Sequence, residues 1–335
     1  MRIALVKLSA IGDVVHALPV AAALRAGLPQ ARLTWVVERR EAAVLRGNPA
    51  LSEIVPIDTR GWRRVRTALA IAEAAGAVVA LGRHLRAGRF DVAIDLQGLV
   101  KSGIVTAATR APLRIGFAAA HCRESTSTLF TNQRVAPPPS ARHVVDQYLS
   151  LLEPLGVRAR SAEFSLPTDA AAETRVDEFL ASTGLKPQDR LVVLNPGAGR
   201  PDKRWPIARF RDLARSLVDV AGAAVLVTWG PNELEDARAI VDGSPVGRVS
   251  LAPPTDLDDL LAVLRRASVV VAGDTGPLHM AAALGTPCVG LYGPTSAERN
   301  GPYGQIHRTL AAPHGVMTAL GVAPVLRSIA EILAR

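Results

Sequence analysis

Short runs of apolar, often β-branched residues recur along the chain, each followed by a polar or glycine-bearing turn and then by apolar positions at helical spacing. The pattern predicts strands at 2–8, 32–37, 53–57, 90–96, 191–194, 223–227 and 268–272. Helices are expected from Val14 to about Ala26, Arg40 to Arg46, His143 to Leu155, Pro277 to Leu284 and Pro324 to Ala334. Strands apolar on both faces belong to parallel sheets covered by helices, and strict strand–helix alternation is the mark of a doubly wound α/β fold. The alternation runs twice, broken by a stiff connector at 136–140 and a passage at 156–169. Two domains are therefore expected, 1–165 and 166–323, with the last helix (324–335) packing back on the first.

The turns after these strands hold the polar residues. Gly273-Asp274-Thr275-Gly276 separates a buried strand from a helix that has Pro277 in its first turn and ends at Gly285. Free N–H groups and the helix dipole at such a junction favour an anion, so the stretch reads as a phosphate site. Asp-Thr-Gly is also the aspartic-protease triplet, but that chemistry needs two such carboxylates in a β frame, and only one is present. Asp13, after the first strand and at the start of a helix, reads either as a cap for that helix or as an ionised proton acceptor; Gly12 beside it permits close approach. Polar residues at 95–103 close another strand, and Lys101-Ser102 lacks the glycines of a P-loop.

In the second half, Gly197 and Gly199 begin a dinucleotide fingerprint that Asp202 interrupts, which argues against NAD. A glycine loop with Lys203 still suits a diphosphate, and Glu233 after Thr228-Trp229-Gly230 is placed to meet ribose or base hydroxyls. Asp256 to Asp259 resembles a metal-binding Asp-x-Asp, but Thr255 with Asp258 ahead of an apolar run is better read as a helix cap.

Composition narrows the partners. At 335 residues, 49% hydrophobic, the chain is that of a globular protein with room for two cores, and no apolar run reaches the length of a membrane-spanning helix. No export signal is visible, and Cys122 and Cys288 have no metal or redox spacing and read as buried, reduced thiols. The net charge of +9 is lopsided: residues 1–150 hold 20 Lys and Arg against 10 Asp and Glu, and the remainder 19 against 20. The first half should therefore meet a polyanion, with nucleic acid, anionic lipid and phosphorylated glycan all open. Arg60, Arg63, Arg64 and Arg66 around Trp62 form the densest basic cluster. A basic nucleic-acid-binding protein would explain the charge, but no helix-turn-helix, zinc or RNA-binding signature is found.

The residues 7–19 (Lys-Leu-Ser-Ala-Ile-Gly-Asp-Val-Val-His-Ala-Leu-Pro), 95–102, 195–198 with 203–206, and 273–279 together resemble the ADP-heptose:lipopolysaccharide heptosyltransferases, glycosyltransferase family 9. The resemblance spans nearly the whole chain and implies the GT-B fold, two doubly wound Rossmann-like domains facing a central cleft. It implies inverting, metal-independent transfer of heptose from ADP-L-glycero-β-D-manno-heptose, a substrate and not a cofactor, to a Kdo residue of Kdo-lipid A. Residues 35–38, Arg60 with 62–64, and Arg123-Glu124 are similar to members that add the first heptose, whereas 143–148 is nearer to generic members. Another acceptor, a later core heptose or a protein, or another nucleotide sugar, is the alternative within the family.

By the same resemblance Asp13 is the general base and Lys203 neutralises the leaving diphosphate. Donor contacts fall to Gly12, Asn195, Gly197, Lys203, Thr228, Trp229, Gly230, Glu233, Asp274, Thr275, Gly276, Pro277, Leu278 and His279. Acceptor contacts fall to Ser9, Arg60, Arg63, Arg64, Gln97, Lys101 and Arg123. A cytoplasmic monomer is expected, peripheral on the anionic inner face of the inner membrane, with no nucleic acid as partner.

Overall fold

The computed structural model describes residues 1–59, 61, 68–186, 189–245 and 247–334, which fall into two compact units, Met1–Ser165 and Leu166–Arg335. In the first unit, β1 (Arg2–Val6), β2 (Arg32–Glu38), β3 (Glu53–Ile57), β4 (Val92–Asp95), β5 (Leu113–Phe117) and β6 (Gln133–Val135) form one parallel sheet. Their order is β3-β2-β1-β4-β5-β6, with Leu5 of the central strand registered against Trp35 on one side and Ile94 on the other. Helices α1 (Ile11–Gly27), α2 (Ala68–Ala87), α3 (Val100–Ala108) and α4 (Val144–Ser150) cover it. The inner strands β1 and β4 are buried on both faces, as their unbroken apolar runs require.

The second unit repeats the plan. Strands β7 (Leu191–Asn195), β8 (Ala224–Val227), β9 (Val249–Leu251), β10 (Val269–Gly273), β11 (Cys288–Tyr292) and β12 (Arg308–Ala311) lie in the order β12-β11-β10-β7-β8-β9. Counted within the unit this is the same order as the first, so both are Rossmann-like, as the GT-B expectation requires. Its helices are α5 (Ala170–Ser182), α6 (Ile207–Ala221), α7 (Leu234–Val241), α8 (Leu257–Arg266), α9 (Gly276–Ala283), α10 (Ala297–Asn300) and α11 (Val322–Leu333).

Several boundaries differ from the sequence expectation. The segment 40–46 is a short 3-10 turn, Ala42–Leu45, ended by Gly47 at φ +67°. The helix expected to reach Leu155 stops at Ser150 and resumes as a 3-10 turn at Glu153–Leu155, where Pro154 supplies no N–H. The cap before α8 is Asp256 with Asp259, one residue beyond the expected Thr255–Asp258 pair, and Arg175 also engages Asp259. The last helix belongs to the second unit: Val325, Ile329 and Ile332 of α11 enter its core, beside Leu213 and Leu217 of α6. Its apolar stripe completes that core.

Candidate active site

Within each sheet the strand order reverses between β1 and β4, and between β7 and β10, so the loops leaving those pairs diverge and open a crevice at the carboxyl ends. In the second unit Ala272 of β10 is registered against Asn195 of β7, which sets the two loops side by side. Across them Lys203 Nζ donates to Asp274 Oδ2 at 2.6 Å, and Asp274 Oδ1 lies 3.0 Å from His279 Nε2. Burial works against ionisation of Asp274. The hydrogen bond and charge of His279, and those of Lys203, outweigh it and hold the carboxyl well below its usual range.

Lys203 is placed by its neighbours. Trp205 is 1% exposed, its indole N–H donates to the Leu320 carbonyl at 2.8 Å, and its ring meets Phe210 edge-on at 4.9 Å. Arg204 Nε reaches back to the Ala198 carbonyl at 3.1 Å. The flexible lysine stem therefore springs from a pinned root. Opposite it, Thr275 begins α9 without a side-chain cap, because its hydroxyl donates to the Gly273 carbonyl instead. The first-turn amides of α9 and the helix dipole thus add to the Lys203 charge. Gly285, at φ +78°, ends the turn after α9. Leu278, expected to touch the donor, is fully buried, so only its backbone is available to a ligand.

Beside this cluster the Glu233 carboxylate accepts from the Gly230 N–H at 2.8 Å and lies against Gly197. A Cβ at Gly197 would come 2.0 Å from Glu233 Oε2, so glycine is needed there for close approach. Asn195 Nδ2 donates to Thr228 Oγ1 at 3.2 Å, tying the ends of β7 and β8, and Trp229 Nε1 donates to the Ala252 carbonyl at 2.8 Å.

In the first unit Asp13 sits in the first turn of α1, and the cap position is Ala10. The Asp13 carboxylate accepts from the Ala10 N–H at 3.2 Å and remains partly exposed. Its position one turn into the helix lets it hold that N–H and still face solvent. Gln97 accepts from the Leu8 N–H at 2.7 Å and so belongs to the same β1–α1 corner as Ser9, Gly12 and Asp13. Lys101 pairs with the buried Glu38 at 3.1 Å, and Glu38 also accepts from Thr59. Arg123 is exposed; Glu124 next to it accepts from the Val100 N–H at 2.7 Å. Arg60, Arg63 and Arg64 lie outside the described residues.

Lys7 stands in the 7–19 motif without a role that its sequence position announces. It is 3% exposed, donates to Tyr148 Oη at 2.7 Å and to the Leu96 carbonyl at 3.3 Å. Burial disfavours its charge, but Tyr148 and the carboxylates of Asp13 and Asp95 outweigh that and raise its pKa. A charged residue ending an apolar strand was the available signal. Asp95 is likewise buried. Its pKa is raised by burial, although it accepts from the Gln97 and Gly98 amides and the Ser102 hydroxyl. Of the two thiols only Cys288 is fully buried; Cys122 is partly exposed. Among the described residues no helix is long and apolar enough to cross a membrane, and no three His, Cys, Asp or Glu gather as metal ligands.

A family model described as glycosyltransferase family 9 (heptosyltransferase) matches residues 78–319. Lipopolysaccharide heptosyltransferase 1 of Escherichia coli O18:K1:H7 is 30% identical over 332 residues, covering 99% of this chain and 98% of that protein. Among solved structures, E. coli heptosyltransferase WaaC with ADP superposes with a TM-score of 0.81 at 29% identity, covering 99% of this chain and 100% of that one. The same E. coli enzyme with ADP-2-deoxy-2-fluoro heptose gives 0.78 at 30% identity, covering 99% of both chains.

Proposed function

The chain belongs to glycosyltransferase family 9, the heptosyltransferases, and from that membership we propose that it transfers heptose from ADP-L-glycero-β-D-manno-heptose to a Kdo residue of the lipopolysaccharide inner core. The observation that carries the donor half of this reading is the Lys203–Asp274–His279 cluster at the uncapped start of α9. A lysine ammonium has three donors; Asp274 takes one, and the others suit diphosphate oxygens. Similarity to a relative solved with ADP, and with an ADP-heptose analogue, supports the same donor here.

The reaction is a single displacement. Asp13 takes the proton of the acceptor hydroxyl, and that oxygen attacks the anomeric carbon. The bond to the diphosphate breaks with inversion, and ADP leaves with its charge met by Lys203 and the α9 amides. Asp13 suits the role because it is partly exposed at a strand end and is held in the first turn of α1, where its carboxylate accepts the Ala10 N–H. Glu233, fixed against Gly197 and Gly230, takes the adenosine side. Ser9, Gln97, Lys101 and Arg123, with Arg60, Arg63 and Arg64, take the anionic acceptor. The acceptor is lipid-anchored, so the protein works at the inner face of the inner membrane.

Incubating the protein with ADP-heptose and heptose-free Kdo-lipid A should release ADP, and Asp13→Ala should reduce the rate about 10²- to 10⁴-fold, the range of a lost general base. The variant should keep its affinity for ADP. Full activity in Asp13→Ala would remove the base assignment, and no release by the folded wild type would remove the Kdo acceptor.

A further inference from the structure

Helix α2 carries an apolar segment that the protein leaves uncovered. Residues 74–82 (Ala-Ala-Gly-Ala-Val-Val-Ala-Leu-Gly) contain no polar side chain, yet 75–80 are all exposed, with Val78 and Val79 near half. A helix apolar on every side is ordinarily buried. Further along, Leu85 is buried and Leu81 packs on the sheet core, so the helix is anchored at its C-terminal end. Ala77, one turn before Leu81 on the same side, instead faces a cavity of about 410 Å³ lined also by Ile54, Pro56, Leu81, Arg39 and Asp58, and by Glu53, which pairs with His84 at 3.0 Å. The apolar segment therefore stands off the sheet.

The rest of that face has the same character. The connections β3 to β4, β4 to β5 and β5 to β6 all advance in one direction across the sheet, so right-handed crossovers put α2, α3 and the 3-10 turn Ser125–Phe130 on one side. Ile104 of α3 is 53% exposed and Leu129 of the turn 78%. Charge follows immediately: Arg83, Arg86 and Arg89 are exposed, and no acidic residue occurs from 74 to 90. An apolar segment ending in arginines matches the interface of an anionic bilayer. Two copies of such a face would oppose like charges.

We propose that this face, led by residues 74–82 of α2, seats the protein on an anionic lipid surface, with Val78 and Val79 entering the headgroup region and Arg83, Arg86 and Arg89 meeting lipid phosphates. The proposal rests on the reading that the acceptor is lipid-anchored, and it names the surface that reaches the lipid.

Flotation with phosphatidylglycerol–phosphatidylcholine vesicles, beside phosphatidylcholine alone, tests it. The wild type should float with the anionic vesicles only. Val78→Glu with Val79→Glu, at exposed helical positions where glutamate is tolerated, should cut the bound fraction at least about tenfold. Replacing Arg83 and Arg86 by alanine should weaken binding roughly fivefold per arginine at low salt, and the difference should vanish at high salt. Equal flotation of the double glutamate variant, or none by the wild type, would overturn the proposal. So would sedimentation showing a wild-type dimer that the variant dissolves, since the occupant would then be a second copy. ADP release on an acceptor freed of its acyl chains should be the same in variant and wild type. If neither releases ADP, the acceptor reading fails while flotation still decides the surface.

Discussion

Asp274 accepts from Lys203 on one oxygen and faces His279 on the other, so one carboxylate sets the place of both partners. Its carboxyl is held well below the ordinary range, so its stabilising contribution is present above the ordinary carboxylate pKa and is lost only as pH falls far below it. Throughout the neutral range it stays ionised. Asp274→Asn keeps the shape but removes the anion that orients Lys203. The expected outcome is a kcat about 10²-fold lower, comparable with losing one electrostatic stabiliser, measured by steady-state ADP release. An unchanged kcat would show that Lys203 needs no partner. Asp274 and Asp13 were legible as polar residues at strand ends, and Lys203 as the lysine of a glycine loop. Lys7 was not recognised, because a lysine in a motif does not show that it is buried or that Tyr148, 141 residues away in sequence, meets it.

At the scale of elements, the loop after β7 and the start of α7 form one unit through Gly197 and Glu233. An added Cβ at 197 would overlap the Glu233 carboxylate, which Gly230 also holds, so Gly197→Ala must displace that side chain. Calorimetry should show weaker ADP binding, about tenfold, with kcat at saturating donor changed much less. A variant with wild-type affinity would mean that Glu233 does not contact the nucleotide. The interrupted Gly-x-Gly was visible in the sequence, but its purpose was not. The same limit moved the α8 cap from Thr255 to Asp256, because several neighbouring side chains can cap and backbone geometry selects one. Arg60, Arg63 and Arg64 keep their role as a proposal from the sequence alone.

For the whole molecule, stability is coupled to pH through a histidine outside the site. Burial lowers the His307 pKa from 6.5 to about 4, partly offset by a hydrogen bond with the Tyr303 backbone. The folded protein therefore holds His307 neutral, and its contribution is complete above the unfolded pKa of 6.5 and lost as pH falls toward about 4. The melting temperature should fall over that window, and His307→Gln should flatten the fall. Parallel curves for variant and wild type would assign the acid sensitivity to other groups.

Apolar runs alternating with helical spacing were enough to determine two doubly wound units and the strand ends that bear polar turns, because those patterns depend only on local periodicity and burial. Charge counts likewise placed the basic excess in the first half without any coordinates. Tertiary structure alone decided that Lys203, Asp274 and His279 form one cluster, that Glu233 rests on Gly197, that α11 completes the second core and that residues 75–80 remain uncovered. Each of these depends on which distant residues pack together, and a contact across 71 residues has no periodicity to announce it.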